Sequence, residues 1–165
     1  SWSDLSPLER AGYAAIHDPL RDRIVLFGGY HPGGATSPDN ETWTLSLASG
    51  SHWTRQVTSG APPAWSSNFT ALHDPIRDRM LLVLGGGRFG VWALSLATMT
   101  WLPLTATGTA PIISYGATCV YDALRDRVLV FGGDVPCPHG PCPHNEVWSL
   151  SLAGTPAGKL TNGFQ

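Results

Sequence analysis

Asp18-Pro19-Leu20-Arg21-Asp22-Arg23 returns as Asp74-Pro75-Ile76-Arg77-Asp78-Arg79 and again as Asp122-Ala123-Leu124-Arg125-Asp126-Arg127, at spacings of 56 and 48 residues. Each copy leads into an apolar run that ends in glycines: Ile24 to Gly29, Met80 to Gly87, Val128 to Gly133. Each then reaches a Trp-x-Leu-Ser-Leu segment: Trp43 to Leu47, Trp92 to Leu96, Trp148 to Leu152. Tandem units of about 50 residues without helical periodicity are the pattern of β-propeller blades.

Four strands are expected per unit. The first is Gly12–His17, Phe69–His73 or Gly116–Tyr121. The hexapeptide turns it back, because Asp followed by Pro suits a tight turn. The second is the unbroken apolar run, as in a strand buried on both faces. The third carries Trp, Leu and Leu on one face of the Trp-x-Leu-Ser-Leu alternation. The fourth is short, Trp53–Val57 and Trp101–Leu104, and Pro103 suits an outer edge. After Leu152 the fixed spacing puts Gly158 where Trp53 stands, so a weak or missing fourth strand is expected in the third unit. The expected division is 1–9 as an orphan outer strand and linker, 10–58 as blade 1, 59–106 as blade 2 and 107–165 as blade 3.

The fold class is thus all-β, a propeller segment of three four-stranded antiparallel blades. Closed propellers use about 4–8 blades. Three blades would make half of a six-bladed ring, completed by a second copy of the chain or by further blades of a longer polypeptide. An open arc would expose two apolar blade faces, which monomers seldom tolerate.

The composite of glycine-rich linker, Asp-Pro-x-Arg-Asp-Arg turn, apolar strand, Gly-Gly, Asn-Glu-x-Trp (Asn40 to Trp43, Asn145 to Trp148) and Leu-Ser-Leu resembles kelch repeats, of the bacterial kelch-like type, over residues 10–152. Blade 2 departs from the pattern, with one extra residue before its glycines and no Asn-Glu before Trp92. Blade 3 departs in having Ala123 in place of proline. The resemblance implies that ligands bind on the face formed by the loops between second and third strands and by the linkers between blades. Tyr30, His31, Trp65, Arg88, Phe89, Tyr115, His139 and His144 are the candidate ligand-binding residues there. Trp65 is the outstanding one, since an exposed indole suits a sugar ring or a protein partner.

Cys137-Pro138-His139-Gly140-Pro141-Cys142-Pro143-His144 concentrates four metal-capable side chains. A Cys137–Cys142 disulfide is the simpler reading and fits an oxidising compartment. A metal set of Cys137, His139, Cys142 and His144, and free thiols, are the alternatives. Cys119 reads as a small buried residue.

Six of the ten Lys and Arg residues and six of the twelve acids lie within the three hexapeptides, leaving each turn locally neutral in a chain of net charge −2. No basic stripe remains to neutralise phosphates, so nucleic acid is not expected as a partner. No apolar run is long enough to insert in a membrane. No catalytic residue set and no cofactor motif is found. The leading expectation is a non-catalytic binding scaffold for a protein or glycan. A sugar-acting or metal-dependent enzyme of kelch-like type and a structural assembly element are the alternatives. The cysteine pair and the single lysine suggest a secreted or cell-surface protein.

Overall fold

A computed structural model describes residues 10–30, 40–64, 69–85, 90–107, 110–112, 116–137, 140–143, 145–153 and 159–162. The described residues form strands and no helix, as the repeat pattern requires. Blade 1 is the sheet β1 (Ala11–Asp18), β2 (Arg23–Tyr30), β3 (Thr42–Ser46) and β4 (Trp53–Gln56), paired antiparallel in that order. β5 (Ser59–Gly60) opens blade 2, followed by β6 (Phe69–Asp74), β7 (Arg79–Leu84), β8 (Gly90–Ser95) and β9 (Thr100–Leu104). Blade 3 comprises β10 (Thr118–Asp122), β11 (Arg127–Phe131), β14 (Val147–Ser151) and β15 (Lys159–Asn162). A separate hairpin, β12 (Asp134–Cys137) and β13 (Gly140–Pro143), leaves blade 3 between β11 and β14.

The first strands of neighbouring blades lie against each other, β6 between β1 and β10. Alternation then sorts each second strand into two apolar faces. Val25 and Phe27 of β2 point to blade 2, where they meet Met80, Leu82, Leu84 and Leu94 in one buried cluster. Leu81 and Val83 point the other way, into a second cluster with Val128, Val130, Leu150 and Leu152 of blade 3. The central β7 is therefore apolar at consecutive positions because both of its faces are covered.

One sequence expectation is corrected. The weak or missing fourth strand of blade 3 is present: β15 pairs with β14, Leu150 opposite Leu160. Leu160 holds the place that Trp53 takes opposite Leu45. The connection is two residues longer than in blade 1, so a fixed spacing pointed at Gly158 instead. Trp101, on the fourth strand of blade 2, is fully buried and meets Phe27 edge-on, with ring centroids 4.8 Å apart. In addition, the linker segment β5 pairs parallel to β9. Gly60 is required there, because its φ is +81° and a Cβ would stand 2.1 Å from the Trp101 carbonyl oxygen. The expected orphan strand at residues 1–9 lies outside the described residues.

Candidate interaction face

The turn end of the blades is built from the repeated hexapeptides. Asp22, Asp78 and Asp126 adopt φ of 46°, 48° and 47°, a left-handed conformation that Asp tolerates better than most residues. The first aspartate of each turn accepts backbone N–H bonds within it. Asp18 binds Arg21 N at 3.3 Å, Asp74 binds Ile76 N and Arg77 N at 3.1 and 3.2 Å, and Asp122 binds Arg125 N at 3.2 Å. These are Asx-type turns, which explains why the repeat keeps aspartate there.

The arginines tie blade to blade. Arg21 of blade 1 reaches both carboxylate oxygens of Asp78 in blade 2, with Nη1 at 2.9 Å from Oδ1. Arg77 of blade 2 repeats the fork on Asp126 of blade 3, with Nη1 at 2.8 Å from Oδ1. Such two-pronged pairs fix orientation as well as adding energy. Backbone carbonyls join in: Arg23 donates to Leu96 O at 2.7 Å and Arg77 to Leu152 O at 2.8 Å. The charge of this end is thus largely consumed by structure.

The Arg21 guanidinium holds the Asp78 carboxyl below its usual 3.8, and Arg77 does the same for Asp126. A group with a lowered folded-state pKa stabilises fully above its unfolded value and loses that contribution as pH falls through the folded one. Melting temperature is therefore expected to drop as pH is taken below about 4. The drop should be shallower in a double Asp78→Asn, Asp126→Asn variant, whose side chains tolerate the same backbone conformation. Parallel acid-melting curves for the two proteins would contradict the assignment.

The opposite end holds the loops between second and third strands. Tyr30, at the end of β2, is 42% exposed there. The other sequence candidates, His31, Trp65, Arg88, Phe89, Tyr115, His139 and His144, lie outside the described residues. The glutamates before the tryptophans serve the blades. Glu41 accepts the Trp43 indole N–H at 3.0 Å and Arg55 Nε at 2.8 Å, and is also paired with the buried Arg10. Glu146 accepts from Trp148 at 2.9 Å. Blade 2, which lacks the glutamate, lays the Trp92 ring over Gly90, where a Cβ would be 2.3 Å from Cζ3.

Two features of this end escaped the sequence reading. An open groove of ≈ 340 Å³ runs beside Asn40–Thr42 and Arg55–Thr58, and Val57 at its lip is 95% exposed. The signal was an unpaired apolar residue just past a strand end. The second feature is the extent of blade 3's excursion, which folds back as the hairpin β12–β13 with Val135 opposite Cys142. Cys137 and Cys142 are joined by a disulfide. A metal set using their thiolates would require that bond to be reduced.

Cys119 is a buried free thiol that desolvation pushes up to about 11, and a thiol in that state is a poor nucleophile. Thiol titration is expected to find no reactive group in the native protein, one on unfolding without reductant and three after reduction. Three thiols on unfolding alone would remove the disulfide from the account.

A row of apolar side chains on the turn end was also missed. Leu20, Ile76 and Leu124 are 75%, 58% and 87% exposed. The third hexapeptide position is aliphatic in every unit, although the turn does not bury it.

The family profile of the KLHDC2/KLHL20/DRC7 Kelch-repeats domain matches residues 1–153. Comparison with curated proteins gives no match. Among solved structures, a chain from the "Cryo-EM structure of RAG in complex with one melted RSS and one unmelted RSS" is similar at a TM-score of 0.64 and 17% identity. That match covers 100% of this chain and 55% of the other, so the present chain spans about half the length of its structural relative.

Proposed function

Because the chain belongs to the Kelch-repeat family, a family of protein-interaction scaffolds, we propose that it is a non-catalytic scaffold holding a protein ligand on its loop end. The observation that carries this reading is the disulfide-closed hairpin β12–β13. It adds nothing to the pairing of blade 3, whose strands β11 and β14 already bond directly to each other. The hairpin lies in the loop between the second and third strands of blade 3, and the exposed Tyr30 and the groove at Val57 lie at the same end of blade 1. Closed by its disulfide, the hairpin meets a ligand with little ordering cost on binding. At the turn end Arg21 and Arg77 are committed to the carboxylates of the neighbouring blade, which withdraws those charges from a ligand. The disulfide chemistry fits an oxidising compartment, so the scaffold acts in a secreted or cell-surface setting. Ring completion, by a second copy or by further blades, is a separate matter from ligand capture.

The test uses the purified chain as bait for a displayed random-peptide library and for a glycan array. A variant in which a short glycine linker replaces residues 134–143 is compared with Leu124→Ser at the far end. Peptide binding that is lost with the hairpin and kept in Leu124→Ser supports the reading. Binding to glycans alone, loss in Leu124→Ser alone, or no ligand in either format overturns it.

A further inference from the structure

The two contacts between blades repeat one set of interactions, and the two outer blades each carry half of that set without the other half. Arg21 and Arg77 each grip the aspartate of the following blade. Arg125, their counterpart in blade 3, is bonded among the described residues only to Asp122 of its own turn, and its side chain is 61% exposed. At the other end Asp22, the counterpart of Asp78 and Asp126, is exposed, and no described side chain pairs with its carboxylate.

The apolar positions repeat the asymmetry. Ile16 is 6% exposed against blade 2, whereas its equivalent on blade 3, Val120, is 47% exposed. Leu96 and Leu152 are 1% and 3% exposed against the blades before them, whereas Leu47 of blade 1 is 38% exposed. Tyr13 is 50% exposed, where its equivalent Phe69 packs on the cluster between blades 1 and 2. Leu26 and Leu45 of blade 1 are already buried, so the opening on that face lies around Leu47 and Tyr13.

We infer that a second copy of this chain docks head to tail, blade 3 of one against blade 1 of the other. Arg125 then forks onto Asp22 of the partner subunit, and Val120 packs toward the partner's Leu47. The chain is its own complement in both charge and apolar surface, and that is what selects a second copy as the occupant. Two copies related by a two-fold axis make both contacts at once, giving a closed ring of six blades. A head-to-tail contact that closes in this way limits assembly to the pair.

Sedimentation equilibrium of the purified chain is expected to give twice 17.6 kDa. Arg125→Glu and Asp22→Arg should each weaken association about tenfold or more, since like charges then face each other at both contacts. Mixed in equal amounts, the two variants should recover the dimer, because one contact regains a reversed pair and the other keeps the original pair. Circular dichroism confirms that each variant is folded. A wild-type chain that stays monomeric through the micromolar range overturns the inference, whatever ligand the loop end takes. So do single variants that dimerise as well as the parent, or a mixture that fails to recover.

Discussion

Asp74→Ala is expected to destabilise the protein by about 3–5 kcal/mol, as when one partner of a buried ion-pair network is removed. The Asp74 carboxylate has no solvent exposure. It receives Arg79 Nε at 2.7 Å and Arg77 Nη1 at 3.2 Å, the Ile76 and Arg77 amides at 3.1 and 3.2 Å, and the Tyr121 hydroxyl of blade 3 at 3.3 Å. Deletion takes the paired anion from Arg79, removes one of the two carboxylates that Arg77 holds, and leaves the turn without its acceptor. Asp74→Asn keeps an oxygen for the turn but withdraws the charge, and should cost less, about 1–3 kcal/mol. Urea denaturation of the three proteins measures both differences. Against a total stability of about 5–15 kcal/mol for an ordinary domain, the alanine variant should unfold at markedly lower urea. A loss below about 1 kcal/mol in Asp74→Ala would show that the carboxylate is not the anchor of the turn.

The hexapeptide made this network partly legible in the sequence. Its charge balance left each turn locally neutral, and the structure pairs those charges both within the turn and with the next blade. The direction was not readable: which arginine reaches forward depends on how one sheet stacks on the next, across 57 residues for Arg21 and Asp78. Strand identity followed from local alternation, so the blades were legible almost throughout. Connection length was not, because Leu160 reaches its place opposite Leu150 by a longer excursion that no local pattern fixes. The loop end was least legible. Resemblance nominated its residues by loop position, and of these Tyr30 alone falls among the described residues. Arg55 and Val57 line the groove there because of where β4 stops, and a short strand gives little notice of its last residue.

Trp101 carries the other large expected effect. Its strand is the fourth of blade 2, which in a propeller lies far from the axis, yet the side chain is fully buried. β5 covers that strand from outside, pairing Gly60 with Trp101 in the backbone. The indole instead enters the cluster between blades 1 and 2, against Phe27. Trp101→Ala removes the largest fully buried side chain among the described residues and leaves a cavity that β5, held by its parallel pairing, cannot collapse to fill. The expected cost is about 3–5 kcal/mol. Trp101→Phe separates volume from polarity. The indole Nε1–H has no acceptor among the described residues, and an unsatisfied buried donor costs about 1–3 kcal/mol. Phenylalanine gives up some packing but removes that penalty and can keep the edge-on contact with Phe27. It should therefore retain most of the stability that alanine loses. Chemical denaturation of both variants decides the point. If Trp101→Phe unfolds as readily as Trp101→Ala, the indole N–H has a partner after all. If neither variant is destabilised, the tryptophan does not sit between the blades.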